Sequence, residues 1–132
     1  MCYEVVFGKF GKYLFDNTIP EVTFGTNGNT TWELEHTTTV SLTDAPSGLN
    51  DSTFKYLWTQ SATAPTKAQF ETENNTFANG DTITTPSGVS GNDWLLWIYA
   101  EDTLGNSQTV GSKSFYFDNT APTIETNQNS NT

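Results

Sequence analysis

Residues 94–106 read Trp94-Leu95-Leu96-Trp97-Ile98-Tyr99-Ala100-Glu101-Asp102-Thr103-Leu104-Gly105-Asn106, and the fold turns on how this stretch is read. In an extended segment successive side chains point to opposite sides. Trp94, Leu96, Ile98 and Ala100 therefore share one face, and Leu95, Trp97 and Tyr99 share the other. The residues that follow have the chemistry of a tight connection: Asp102 caps loop amides, Gly105 supplies a positive φ and Asn106 tolerates the left-handed region. A strand that is apolar on both faces needs cover on both. One row must meet a second sheet. The other is covered by the polar connection 62–79 or by residues 3–15, or else stands exposed beside Leu57. Large exposed apolar patches are uncommon on soluble monomers, so the covered arrangement is the expected one.

The rest of the chain supplies partners for this strand. Ser107 to Phe117 returns across the turn. Phe54 to Gln60 alternates, with Phe54, Tyr56 and Trp58 on one face and Lys55, Leu57 and Thr59 on the other. Thr37 to Thr43 sets Val40 and Leu42 on one side before Asp44-Ala45-Pro46-Ser47-Gly48 breaks the pattern. Pro20 to Phe24 and Asp81 to Thr85 are short strands, the second ended by Pro86-Ser87-Gly88. Ala62 to Asn79 reads as a long polar connection anchored by Phe70 and Phe77, with no helical periodicity. About seven short strands at this spacing predict an all-β fold, a two-sheet antiparallel sandwich. Its expected core is Val40, Leu42, Tyr56, Trp58, Trp94, Leu96, Ile98, Phe115 and Phe117.

Composition agrees. The 132 residues suffice for one domain, and 4 Trp, 5 Tyr and 9 Phe make the core aromatic. A formal net charge of −10 with only 5 Lys+Arg repels phosphate backbones, which excludes nucleic acid as an expected partner. Cys2 is the single cysteine, so no intrachain disulfide forms and the fold rests on burial. No apolar run approaches the ~18 residues of a membrane span. The N-terminus lacks signal-peptide regions, so an export signal is expected outside this sequence. His36 is the sole histidine and is expected at the surface; no zinc site or Ser/His/Asp triad can be assembled around it. The carboxylate pairs Glu33/Glu35 and Glu71/Glu73 have no sign of a pocket around them, and catalysis is not expected.

Two short segments repeat. Phe15-Asp16-Asn17-Thr18-Ile19-Pro20 returns as Phe117-Asp118-Asn119-Thr120-Ala121-Pro122, an offset of 118 − 16 = 102 residues. Together with Tyr56-Leu57-Trp58 followed by Thr-Gln-Ser and a Pro, and with the pattern Trp94 to Asn106, these segments resemble the bacterial Ig-like repeats of large cell-surface and secreted, adhesin-type proteins. The resemblance covers residues 16–122. It implies an immunoglobulin-like sandwich over residues 16–120. Residues 1–15 would be the end of a preceding repeat or a segment added for expression, and residues 121–132 the start of the next repeat or linker. It further implies a non-catalytic spacer, stalk or adhesive module outside the cell, a monomer whose partners are neighbouring repeats of the same chain.

Two sites follow as candidates. Glu101 and Asp102 of the acidic hairpin, joined by Asp16 or Asp118 of a linker, would offer oxygens to calcium, which takes several in its shell. Leu57, Trp97 and Tyr99, if exposed, would make an aromatic platform for a glycan or a partner protein. A Lys–Asn isopeptide bond through Lys55 or Lys113 is a weaker expectation, because Lys55 lies opposite the Tyr56/Trp58 row. No other cofactor is expected.

Overall fold

The computed structural model describes residues 2–6 and 12–126, with side chains from Leu14 onward. Within them lie strands β1 (Cys2–Val6), β2 (Lys12–Asp16), β3 (Glu21–Phe24), β4 (Asn29–Glu33), β5 (Thr37–Thr43) and β6 (Leu49–Thr59), then a helix α1 (Lys67–Glu73). Strands β7 (Thr82–Thr84), β8 (Ser90–Asp102), β9 (Ser107–Gly111) and β10 (Phe115–Asp118) follow. Among the described residues β1 and β2 pair only with each other, antiparallel. The others form two sheets, β3-β5-β7 and β4-β10-β8-β6, with β9 also on β8. The fold is all-β in the sense expected, two sheets with a shared core.

β8 organises the larger sheet. Its 13 residues pair with β6 along one side; on the other, residues 97–101 pair with β9 and residues 90–94 with β10. The register shifts between β9 and β10, where a serine keeps the ladder satisfied. The Ser112 amide donates to the Leu96 carbonyl at 2.8 Å, and its hydroxyl accepts from the Leu96 amide at 2.9 Å. β4 then joins the far side of β10 in parallel, Asn29 opposite Phe115 and Glu33 opposite Phe117. This pair departs from the expected all-antiparallel arrangement. β4 was invisible in the sequence because it carries no alternation: four of its five residues are exposed.

The inner face follows the period of two. Val40, Leu42 and Ile83 from one sheet meet Phe54, Leu96, Ile98 and Ala100 from the other, all nearly excluded from solvent. Phe115 and Phe117 are fully buried as expected. Tyr56, Trp58 and Trp94 are half-buried, a correction to the expected core. They line a groove with Thr84, Pro86 and Val89, where neither β6 nor the short β7 is flanked by another strand.

The outer face is covered by the connection 62–79, one of the two covers expected, but the cover takes a form the sequence did not suggest. The connection 62–79 contains α1, seven residues long, where no helix was expected. It begins with a capping box. The Gln69 amide donates to the Thr66 hydroxyl at 3.3 Å, and the Thr66 amide donates to the Gln69 side-chain oxygen at 2.8 Å. It ends at Asn74 with φ 53°, whose amide donates to the Phe70 carbonyl. Two turns with one buried residue show no periodicity, which is why the helix escaped the hydrophobic pattern. That one residue, Phe70, is wholly buried against Trp97 and Tyr99, with Leu57 and Leu95 packed around them. The Trp97 indole lies flat over Gly111, where an added Cβ would come within 2.7 Å of the ring.

Phe70→Ala should therefore unpin the helix and cost about 3–5 kcal/mol, the usual range for removing a fully buried phenylalanine. Urea denaturation would read this as a lowered midpoint; a loss below about 1 kcal/mol would mean α1 is not a structural cover.

Candidate functional site

The distinctive polar chemistry sits at the two ends of β8. At its C-terminal end the hairpin to β9 closes on Asp102, which is 1% exposed. Its Oδ1 accepts from the Leu104 and Asn106 amides at 2.9 and 2.8 Å, and its Oδ2 from the Asn106 side chain at 2.7 Å. Gly105 makes the turn at φ 90°. The Asn106 side chain also donates to the Asp16 carbonyl at 2.8 Å, so the hairpin grips the first Asp-Asn-Thr segment.

Asp16 is gripped from the other side as well. Its Oδ1 accepts from the Thr18 amide and hydroxyl at 2.9 and 2.5 Å. Its Oδ2 accepts from the Ser47 amide and hydroxyl at 3.1 and 2.6 Å. The Thr103 amide and hydroxyl tie the hairpin to the Gly48 and Ser47 carbonyls, which closes the ring of contacts. Four donors on one carboxylate, those of Ser47 foremost and then Thr18, hold the Asp16 carboxyl well below the usual range. Burial pushes the Asp102 carboxyl up, but the hydrogen bonds from Asn106 and Leu104 outweigh it and the net displacement is downward.

Asp44 completes this end. One carboxylate oxygen from each of Asp16, Asp44 and Asp102 lies within 4.8 Å of the other two. Asp44 Oδ1 is buried and without a hydrogen-bond partner among the described residues. Burial, then the charges of Asp16 and Asp102, push the Asp44 carboxyl up. Nothing in its local sequence singles out Asp44, which reads as part of the Pro/Gly break after β5.

At the N-terminal end of β8 the second Asp-Asn-Thr repeats the turn of the first. Asp118 Oδ1 accepts from the Thr120 amide and hydroxyl at 3.1 and 2.9 Å, and also from the Ser90 hydroxyl at 2.8 Å. The Asn119 side chain donates to the Pro86 carbonyl at 2.9 Å. Hydrogen bonds from Ser90 and Thr120 lower the Asp118 carboxyl. From Ser90 to Asp102 is 102 − 90 = 12 residue steps. At about 3.3 Å per residue the two Asp-Asn-Thr segments lie ~40 Å apart.

Of the four carboxylates considered for calcium, the structure brings together Asp16 and Asp102, adds Asp44, and separates the other two. Asp118 is at the opposite end. Glu101 precedes Asp102 in the strand and so points to the other face, where the Tyr99 hydroxyl donates to it at 2.5 Å and Lys67 pairs with it at 2.9 Å. Those two bonds lower the Glu101 carboxyl and fasten α1 to the sheet. Of the aromatic face, Trp97 and Tyr99 are buried and Leu57 is half-buried beneath α1. Lys113 is exposed and Lys55 half-buried, so neither is shielded as an isopeptide lysine would be.

His36, expected at the surface, is buried. Its Nε2 lies 2.8 Å from the Thr31 carbonyl and 2.7 Å from the Tyr116 carbonyl. Carbonyls only accept, so Nε2 is the donor and the ring ties β4 to β10. Among the described residues the exposed aromatic side chain is Trp32, 56% exposed, on β4 against Tyr116. Comparison with protein-family models, curated proteins and solved structures returned no match.

Asp44 supplies a pH test with a definite sign. A carboxyl raised in the folded state favours folding below its unfolded pKa, and that benefit is lost as pH rises through the raised value. Asp16 and Asp102 are lowered, so their contribution is present above the ordinary carboxylate range and is lost as pH falls below it. Asp44→Asn in chelator should therefore be more stable than the parent at pH 7, and the advantage should shrink as pH falls into the weakly acidic range. Thermal melting at several pH values checks this; an advantage independent of pH would remove the charge repulsion from the explanation.

Proposed function

We propose that the chain is a non-catalytic structural repeat, an immunoglobulin-like β-sandwich that serves as a spacer or stalk in a bacterial extracellular tandem array, at the cell surface or secreted. The observation that carries this reading is the axial placement of the two Asp-Asn-Thr segments. Each is locked by the same turn, one at each end of β8, so the chain enters at one pole and leaves at the other. A module with its linkers at opposite poles extends an array by its own length. The strand order supports the immunoglobulin-like reading: β3-β5-β7 faces a sheet whose first strand, β4, runs parallel beside its last, β10. Pro20 and Pro122 would restrict bending at the junctions. A binding role through Leu57, Trp97 and Tyr99 has lost its support, since α1 covers them.

The parallel pair gives the spacer role a mechanical test. Tension between residues 16 and 120 loads the β4–β10 bonds in shear, all at once. Tension between residues 88 and 120, both at one pole, opens β10 and β9 from β8 one bond after another. Single-molecule pulling should find a higher unfolding force in the axial geometry. Equal forces in both geometries would count against a load-bearing spacer.

A second reading, calcium rigidification, is favoured by the buried, unpartnered Asp44 Oδ1 beside Asp16 and Asp102. Calcium requires six to eight oxygens, more than three carboxylates offer singly, so backbone carbonyls or water would complete the shell. On this reading the chain melts several degrees higher in calcium than in chelator, and Asp44→Asn abolishes the difference. Superimposable melting curves would end it.

A further inference from the structure

We infer that Asp118 is a shared staple: one carboxylate oxygen closes this module, and the other is held for the Ser47-type loop of a following module of the same kind. The inference rests on the tandem-array reading and adds a contact to it. At the first Asp-Asn-Thr segment the carboxylate is divided. Oδ1 serves the local turn, through Thr18, whereas Oδ2 takes the Ser47 amide and hydroxyl from the loop between β5 and β6. At the second segment Oδ1 again serves the local turn, through Thr120, and additionally takes Ser90 from the start of β8. Its Oδ2 has no hydrogen-bond partner among the described residues, and Asp118 is exposed.

The two patterns are complementary. Asp16 shows what the module does to the linker before it, and Asp118 shows what the module does to the linker after it. Superposed on one residue they do not compete, because Ser90 occupies Oδ1 and Ser47 occupies Oδ2. A junction aspartate in an array would accept from both neighbours at once and so couple their stabilities, beyond what a flexible tether does. The recognised partner is therefore a loop presenting a serine amide and hydroxyl together, with an asparagine side chain such as Asn106 beside it.

Asparagine separates the two oxygens. Asp118→Asn keeps a carbonyl oxygen for Thr120 and Ser90 but places an NH2 group, which cannot accept, where the next module's Ser47 amide would donate. The test compares the 132-residue chain with a tandem chain in which residues 1–118 run directly into residues 17–132, so that Asp118 takes the place of Asp16. Calorimetry should show Asp118→Asn moving the melting of the single chain by no more than about 1 °C, and lowering one transition of the tandem chain by about 4–8 °C. Asp118→Ala, which also loses Oδ1, should lower both. Equal effects of Asp118→Asn in the single and tandem chains overturn the staple, and so does no effect in either. X-ray scattering separates the two levels. An elongated tandem of two folded modules without the Asn effect removes the staple and leaves the array reading. A tandem whose second module does not fold removes both.

Discussion

The structure depends on one constraint: β8 is apolar on both faces and has to be roofed twice. Its inner row, Leu96, Ile98 and Ala100, is met by Val40, Leu42 and Ile83 across the sandwich. Its outer row, Trp97 and Tyr99, is too large to leave in water, and Phe70 of α1 is the lid. The two covers have different origins. The first is sheet-on-sheet packing, extended and redundant. The second is a two-turn helix held by one buried ring, a capping box and the Lys67–Glu101–Tyr99 cluster. An exposed salt bridge contributes little by itself, so most of the second cover's stability resides in Phe70.

Because β8 is long and central, its ends define the poles of the molecule. Its C-terminal end carries the Asp102 hairpin that grips Asp16, and its N-terminal end carries Ser90, which grips Asp118. The two Asp-Asn-Thr segments thus belong to the hydrogen-bonding of the sandwich. An aspartate tied down by four donors is a rigid point of attachment, whereas the same residue in a free tether would swivel. Charge is what the first pole must accommodate. Asp16 and Asp102 are compensated by donors, whereas Asp44 is pressed between them with one oxygen unmet.

The all-β class, most of the strands and the core residues of β5, β8 and β10 were legible because a period of two survives wherever a face is buried. The Asp-Asn-Thr repeat was legible as text. What it does in space was not: two identical words carry no sign that they lie at opposite ends of one strand, far enough apart to separate Asp118 from Asp102. Glu101 and Asp102 are adjacent in sequence, but neighbours in a strand face apart. β4 and α1 escaped because each buries too little to leave a pattern. Asp44 escaped because its environment is made by residues 28 and 58 positions away, Asp16 and Asp102. The burial of His36 was not legible, because a lone histidine carries no signal of the two carbonyls it joins.

The two Asp-Asn-Thr segments lie at opposite poles of the sandwich, and one distance decides it. With spin labels at the exposed positions Asn17 and Thr120, introduced as cysteines in a Cys2→Ser background, pulsed electron resonance should give a single narrow distance near ~40 Å, the length of β8. A distance under about 20 Å, fewer than half the residue rises of that strand, or a distribution with no defined maximum, would contradict an axial module and the spacer role built on it.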